Sequence, residues 1–258
     1  DHRKTEQLID TLDKGEQNRK ECYIREFSIE HFHDSKVFET LIPKICKIFR
    51  EENEELTGFE NEEILAEYQI YKTPGYVYMK GNVQIYSAGK QAADISAFPE
   101  GIAVAVGSEE DVPDICPDQT IDKVFTIENL TSFYRFKQEH SLVIYLGGYH
   151  NRSRRNLLMQ IYQKLPDAQY YHFGDLDAGG FYILEHLKRK TGIPFQMFQM
   201  DIETLKKYEG YAKPLTENDK KRLMQLEKME LPDEERKLIT YMLQKGIKLE
   251  QECISESQ

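Results

Sequence analysis

Two carboxylates one residue apart, Asp175 and Asp177, hold most of the chemistry legible in this chain. They lie in the run Gln169-Tyr-Tyr-His-Phe-Gly-Asp-Leu-Asp-Ala-Gly-Gly180. An aromatic, strand-like segment enters Gly174 and delivers the two carboxylates at alternating positions, and Ala178-Gly179-Gly180 then opens a helical pattern. Asp is a poor strand former, and two of them at the tip of a buried strand repel each other unless a cation or a proton intervenes. The C-terminal tips of strands are also where an open α/β sheet places its sites. Against this stands a plainer reading, in which Asp175 ends the strand and Asp177 caps the next helix.

The elements around the pair decide how much it means. Val124-Phe-Thr-Ile127 reads as a strand followed by a helix through Phe133 and Phe136. Leu142-Val-Ile-Tyr-Leu146 reads as a second strand, ending at Gly147-Gly148 and followed by a helix over 153–164. Tyr170–Phe173 is the third strand, with Phe181, Leu184 and Leu187 on one face of its helix, and 195–200 is a candidate fourth. Short strands alternating with helices predict a parallel sheet with right-handed crossovers. In such a sheet all C-terminal tips share one edge, so Glu128, the residue after the first strand, faces Asp175 and Asp177 if their strands are neighbours. Three convergent carboxylates form an oxygen-rich site suited to Mg²⁺ or Mn²⁺. Their mutual repulsion is hard to explain without a cation.

The flanks are less regular. In residues 1–120, Val37, Phe38, Leu41, Ile42, Ile45, Ile48 and Phe49 recur at helical spacing after Asp34-Ser35, a plausible cap, with Pro43 a potential kink. Residues 61–68 suggest a shorter helix. Residues 76–79 and 83–86, joined through Lys80-Gly81-Asn82, read as a hairpin, and 102–106 as a buried strand. An acidic stretch with Pro113 and Pro117 places the domain boundary near 120. The expected organisation is an N-terminal mixed arm (1–120), an α/β domain (121–212) and a helical C-terminal tail (213–258). The tail shows two stripes, Leu223/Leu226/Met229 and Leu238/Tyr241/Met242, the second after the helix start Pro232-Asp233.

Composition narrows the function classes. Of the 258 residues 40% are hydrophobic and 31% charged, as in a globular chain with a real core. No apolar stretch approaches the ~20 residues of a membrane helix, and the charged first 20 residues do not read as a signal peptide. The start at Asp1 rather than Met reads as a piece of something longer. Cys22, Cys46, Cys116 and Cys253 lie far apart without zinc spacing, so they read as reduced, cytoplasmic thiols. A net charge of −11 repels polyanions at long range, which counts against a simple DNA-coating protein and leaves room for a local basic strip or a recruiting partner.

A Glu after the first strand, a Gly after the second and an Asp-x-Asp after the third resembles the Toprim domain. That fold is shared by topoisomerases, bacterial primases and several DNA nucleases. Four segments narrow the resemblance: Phe27-Ser-Ile-Glu-His-Phe-His-Asp-Ser-Lys36, Ile127-Glu-Asn-Leu-Thr-Ser-Phe133, Tyr145-Leu-Gly-Gly148 and His172-Phe-Gly-Asp-Leu-Asp-Ala-Gly-Gly-Phe181. In this order they resemble the C-terminal part of the JetD family. Its members are nuclease subunits of the Wadjet anti-plasmid system, related to the A subunit of topoisomerase VI. The resemblance covers residues 25–210.

It implies a metal-dependent endonuclease in which Asp175 and Asp177 bind Mg²⁺ (or Mn²⁺). Glu128 would be a further ligand or the general acid/base. The implied substrate is plasmid DNA, a circular duplex, and the implied partners are SMC-like Wadjet subunits, with a homodimer left open. Many Toprim proteins read Asp-x-Asp-x-Asp, whereas Gly179 stands at the third place, a pattern closer to the topoisomerase VI branch. The winged-helix module that carries a nucleophilic Tyr in topoisomerase VI is not evident, so water is the expected nucleophile. Two other classes stay open. One is a catalytically silent module whose acidic edge docks a basic partner; the other is a Mg²⁺-dependent phosphatase or nucleotide-handling enzyme, without a P-loop.

Weaker candidates surround the site. Gly147-Gly148 followed by Arg152, Arg154 and Arg155 opens a helix and could cradle DNA phosphates, because Arg at a helix N-terminus opposes the helix dipole and wants a reason. A glycine turn with a solvated basic first turn is the bland alternative. Lys188-Arg189-Lys190 is where a helix end favours cations anyway. His31 and His33 read as a surface or half-buried pair rather than metal ligands. His150 and His172 lie near the expected site, the second simply lining the sheet.

Overall fold

The computed structural model describes residues 2–53, 56, 59–72, 75–106, 113–147 and 152–254. The chain divides into two compact units, the first built chiefly from Asp1–Gly75 and the second from Tyr76–Ala105, Val112–His150 and Arg154–Gln258. The division falls well before residue 120, because the strands that follow residue 75 build sheets of the second unit.

The first unit is helical: α1 (His2–Gln17), β1 (Cys22–Tyr23), α2 (Ile24–Phe32), α3 (Val37–Glu52), α4 (Asn61–Glu67) and β2 (Ile70–Tyr71), with β1 and β2 paired in parallel. Phe27, Phe38, Ile45 and Phe49 are buried at helical spacing, Phe27 against Phe38 with ring centroids 4.5 Å apart. Helix α3 continues through Pro43. Its first turn is capped from another helix, Ser28 Oγ accepting the Phe38 N–H at 3.0 Å, while Asp34 accepts from Lys36. His31 packs edge-on against Phe27 and His33 is the left-handed C-cap of α2.

In the second unit the elements are β3 (Gly75–Lys80), β4 (Val83–Ser87), β5 (Lys90–Asp94), β6 (Ile102–Val106), β7 (Asp114–Pro117), β8 (Lys123–Ile127), α5 (Leu130–Arg135), β9 (Ser141–Tyr145), α6 (Arg152–Lys164), β10 (Gln169–Phe173), α7 (Ala178–Thr191), β11 (Gln196–Met197), α8 (Ile202–Lys207), β12 (Lys213–Pro214), α9 (Glu217–Leu226), α10 (Asp233–Lys245) and β13 (Ile247–Lys248). A six-stranded sheet runs in the order β11-β10-β8-β9-β3-β6. Its β11, β10, β8 and β9 are mutually parallel, as alternating strands and helices predict, and β3 joins β9 antiparallel. The α/β expectation holds, with a mixed rather than purely parallel sheet.

Two local expectations fail. Strands β3 and β4 do not form a hairpin: β3 sits in the six-stranded sheet, and β4 pairs with β5 and β7 in a separate three-stranded sheet. Gly81, at φ 140°, turns the chain between the sheets, and a Cβ there would lie 2.6 Å from the Ser141 carbonyl oxygen. Strand β6 is not buried, since it lies at the sheet edge with Ala103 and Ala105 exposed. Apolar runs of small residues do not distinguish a central strand from an edge.

Strands β8 and β9 are buried on both faces, as central parallel strands are. Phe125, Ile127, Val143 and Phe173 join a core with Phe181 of α7, Leu223 and Leu226 of α9 and Leu238, Ile239 and Met242 of α10. Residues 213–254 thus complete this unit's core rather than trailing from it. Met229, expected in the first stripe, lies beyond α9 and is exposed. Among the described residues no helix is long and apolar enough to cross a membrane.

Candidate functional site

Strands β8 and β10 are neighbours in register, with Ile127 opposite Phe173, so the residues that follow both strands emerge side by side. The ladder extends one step further, the Glu128 N–H donating to the Phe173 carbonyl at 3.1 Å. This is the adjacency that convergence of Glu128 with Asp175 and Asp177 required.

Glu128 is held from the sheet interior. Its Oε1 lies 2.9 Å from His172 Nε2, and His172 Nδ1 lies 2.9 Å from the Thr126 hydroxyl. Thr126 and His172 are directly paired across the two strands and both are fully buried. Burial, with a further contribution from Lys188, pushes the imidazole down to about 3, so the ring is neutral and the contact is a hydrogen bond rather than an ion pair. With Glu128 ionised, Nε2 carries the proton and Nδ1 accepts from Thr126. Gly174 makes room for this arm, because a Cβ there would come within 2.1 Å of Glu128 Oε1.

Asp175 is the most perturbed acid of the edge. Burial, opposed by a hydrogen bond from the Gln251 N–H and reinforced by the charges of Glu128, Asp177 and Glu252, pushes its carboxyl up to about 7. Those contributions place Glu128, Asp177 and Glu252 each within electrostatic reach of Asp175. Asp177 caps α7, Oδ1 accepting the Gly180 N–H at 3.0 Å, and its charge adds to the rise of the Asp175 carboxyl. Gly180 is required by a close approach, since a Cβ there would lie 2.1 Å from the Asp175 carbonyl oxygen.

The C-terminal segment completes the edge. Leu249 bridges Leu176 antiparallel, Gln251 donates its N–H to Asp175 Oδ1 at 2.6 Å, and Asn129 Nδ2 donates to Glu252 Oε1 at 2.5 Å. Sequence reasoning found none of these partners. His172 and Thr126 left a signal, polar residues inside strands otherwise buried and apolar; Gln251 and Glu252 left none.

The basic candidates fare differently. Arg154 turns inward and donates to the Leu146 carbonyl and, at 3.2 Å, to that of Tyr76; burial lowers its pKa. Tying down carbonyls is the reason this Arg stands at a helix N-terminus, and it takes the guanidinium away from phosphate duty. Arg155 is half-buried, and the side chain of Arg152 lies outside the described residues, as do Gly148 and His150. Gly147 adopts φ 65°, a turn conformation that favours glycine.

Residues 110–258, more than half of the chain, match the family model described as Wadjet protein JetD, C-terminal. The chain belongs to this JetD C-terminal family. It is also similar to the Wadjet protein JetD of Bacillus cereus (strain Q1), 29% identical over 254 residues, which cover 96% of this chain and 61% of that protein. The chain thus spans about three-fifths of the relative's length. Glu128, Asp175, Asp177 and Glu252 all fall inside the matched region.

Whether the edge suits a cation follows from its donors. Hard carboxylate oxygens are the chemistry Mg²⁺ and Mn²⁺ select, and neighbouring negative charge adds to burial in raising the Asp175 carboxyl. Among the described residues no group of three or more His, Cys, Asp or Glu side chains is arranged to hold a metal ion. The fit therefore rests on donor chemistry and charge.

Proposed function

We propose that this chain carries the catalytic part of a DNA endonuclease subunit in a Wadjet-type anti-plasmid system, hydrolysing phosphodiesters of circular duplex DNA at Glu128, Asp175 and Asp177 with Mg²⁺ or Mn²⁺. The observation that carries the reading is the register of β8 and β10, by which Glu128 and the segment bearing Asp175 and Asp177 leave the sheet from adjacent strand tips, with burial and then the neighbouring charges raising the Asp175 carboxyl. Family membership and the relative's name support the biological setting. A bound divalent ion would lower the pKa of a water and neutralise charge on the phosphate. The protein's part is positional. His172 aims Glu128, whose carboxylate can take a proton from the attacking water, and the edge excludes solvent behind Asp175. SMC-like subunits would bring a chain of net charge −11 to DNA.

The test uses the full-length protein within its complex. Glu128→Ala and Asp175→Ala should each lower metal-dependent nicking or cutting of plasmid by about 10²–10³-fold, the range for losing one electrostatic donor. The double variant should be no worse, because the residues act as a unit. Cleavage at the parent rate in Glu128→Ala rejects the assignment. A second reading, an acidic docking edge, draws on the lack, among the described residues, of any three-residue group arranged to hold a metal ion; it predicts that these changes abolish assembly with a basic partner surface and leave no cleavage to lose.

A further inference from the structure

Gln251 is fully buried, and its backbone N–H and both side-chain amide atoms meet the candidate edge. Its N–H donates to Asp175 Oδ1 at 2.6 Å, its Nε2 donates to the Phe173 carbonyl at 3.1 Å, and its Oε1 accepts the Asn129 N–H at 2.9 Å. The geometry of the last two is that of a sheet rung. The backbone ladder between β8 and β10 ends where the Glu128 N–H meets the Phe173 carbonyl. The Gln251 amide then donates to that same carbonyl and accepts from the next N–H on the β8 side, taking the place of the missing peptide.

We infer that Gln251 is a positioning residue of this edge: its amide closes the ladder between the tips bearing Glu128 and Asp175, and its backbone N–H aims the Asp175 carboxylate. The inference rests on the function proposed above. A glutamine that merely filled space could satisfy its amide anywhere. Here the partners are Asn129, next to Glu128, and Phe173 and Asp175, two residues apart on the facing tip. The segment is pinned on both sides, by the Leu249–Leu176 bridge and by the Asn129–Glu252 hydrogen bond, so the amide is held in register with the carboxylates. Partners that orient ligating groups in this way typically matter 10–100-fold in metal affinity or activity.

The decisive variant is Gln251→Met in the full-length protein, which keeps the volume and the backbone N–H and removes both amide hydrogen bonds. Three readouts are taken: affinity for Mn²⁺ alone by titration calorimetry, cooperativity of melting in EDTA, and kcat and KM for plasmid nicking in the complex. The expected result is cooperative melting, Mn²⁺ affinity lowered about 10-fold or more, and a fall in kcat with KM for DNA unchanged. Mn²⁺ affinity and kcat within twofold of the parent overturn the inference while leaving the proposed function standing. A parent protein that neither binds Mn²⁺ nor cleaves rejects the function and the inference together. If Gln251→Met does not melt cooperatively, Gln251→Asn, polar but one methylene too short for the rung, takes its place; failure of both to fold assigns Gln251 to the fold alone and also overturns the inference.

Discussion

Replacing Asp175 with Asn should stabilise the metal-free protein at pH 8 and leave it almost unchanged in acid. The folded environment moves the Asp175 carboxyl from 3.8 to about 7, chiefly by burial and then by the charges around it. The group is raised in the folded state, so its protonated form is the one the fold favours. Below about pH 4 both folded and unfolded chains are protonated and nothing is lost. As pH rises from 4 to 7 the unfolded chain ionises first, and stability falls until the folded carboxyl ionises as well. The full cost at pH 8 is about 4 kcal/mol at ~1.4 kcal/mol per tenfold change in acidity, and relaxation around the charge reduces it toward about 2. Asn carries no charge and its oxygen can still accept the Gln251 N–H, so it escapes this cost. Urea unfolding in EDTA, followed by far-UV circular dichroism and tyrosine fluorescence, should show the variant more stable by about 2–4 kcal/mol at pH 8 and by about 1 at pH 4.5. Mn²⁺ should stabilise the parent and raise the variant much less. A stability gap that does not change with pH, or an Asn variant weaker than the parent at pH 8, refutes the picture of a crowded, buried carboxylate.

Other perturbations separate structural from functional charge. Arg154→Ala should cost stability, about 1–3 kcal/mol for leaving the part-buried Leu146 carbonyl without its donor, and its effect on DNA affinity should vanish once the folded fraction is accounted for. Arg155→Ala, if that side chain meets phosphate, should instead flatten the salt dependence of DNA binding by up to about 0.9 in slope, and a full slope would move the DNA path elsewhere. Lys188 donates to both Glu185 and Glu235, the latter only 3% exposed and with its carboxyl raised by burial. Lys188→Met should therefore destabilise by about 3–5 kcal/mol at pH 8, measured by urea unfolding, and by less as the pH falls and Glu235 takes a proton.

The parallel sheet was legible because alternation of short apolar strands with helices is a local pattern whose connections have few solutions. The carboxylates were legible because Asp at a strand tip contradicts strand propensity and needs a reason. Asp177 is a helix cap whose charge also bears on Asp175, so the plainer reading of it does not exclude the proposed one. The hairpin between residues 76–79 and 83–86 failed because adjacent strands and a glycine turn look the same whether the strands pair or part into different sheets. Arg154 was misread because a guanidinium aimed at carbonyls and one aimed at phosphate share the same local sequence.

By itself the order of residues determined which groups could do chemistry and which strand tips would carry them: Glu128 after one strand, Asp175 and Asp177 after another. Only the tertiary structure decided that those strands are neighbours, since register is set by side-chain packing across the whole sheet. It alone decided that His172 holds Glu128 through a glycine gap, and that Gln251, far along the chain, finishes the ladder between the two tips. Neither contact has a local signature, because a buried polar group is satisfied by whichever partner the fold brings to it, and chain separation leaves no trace of that choice.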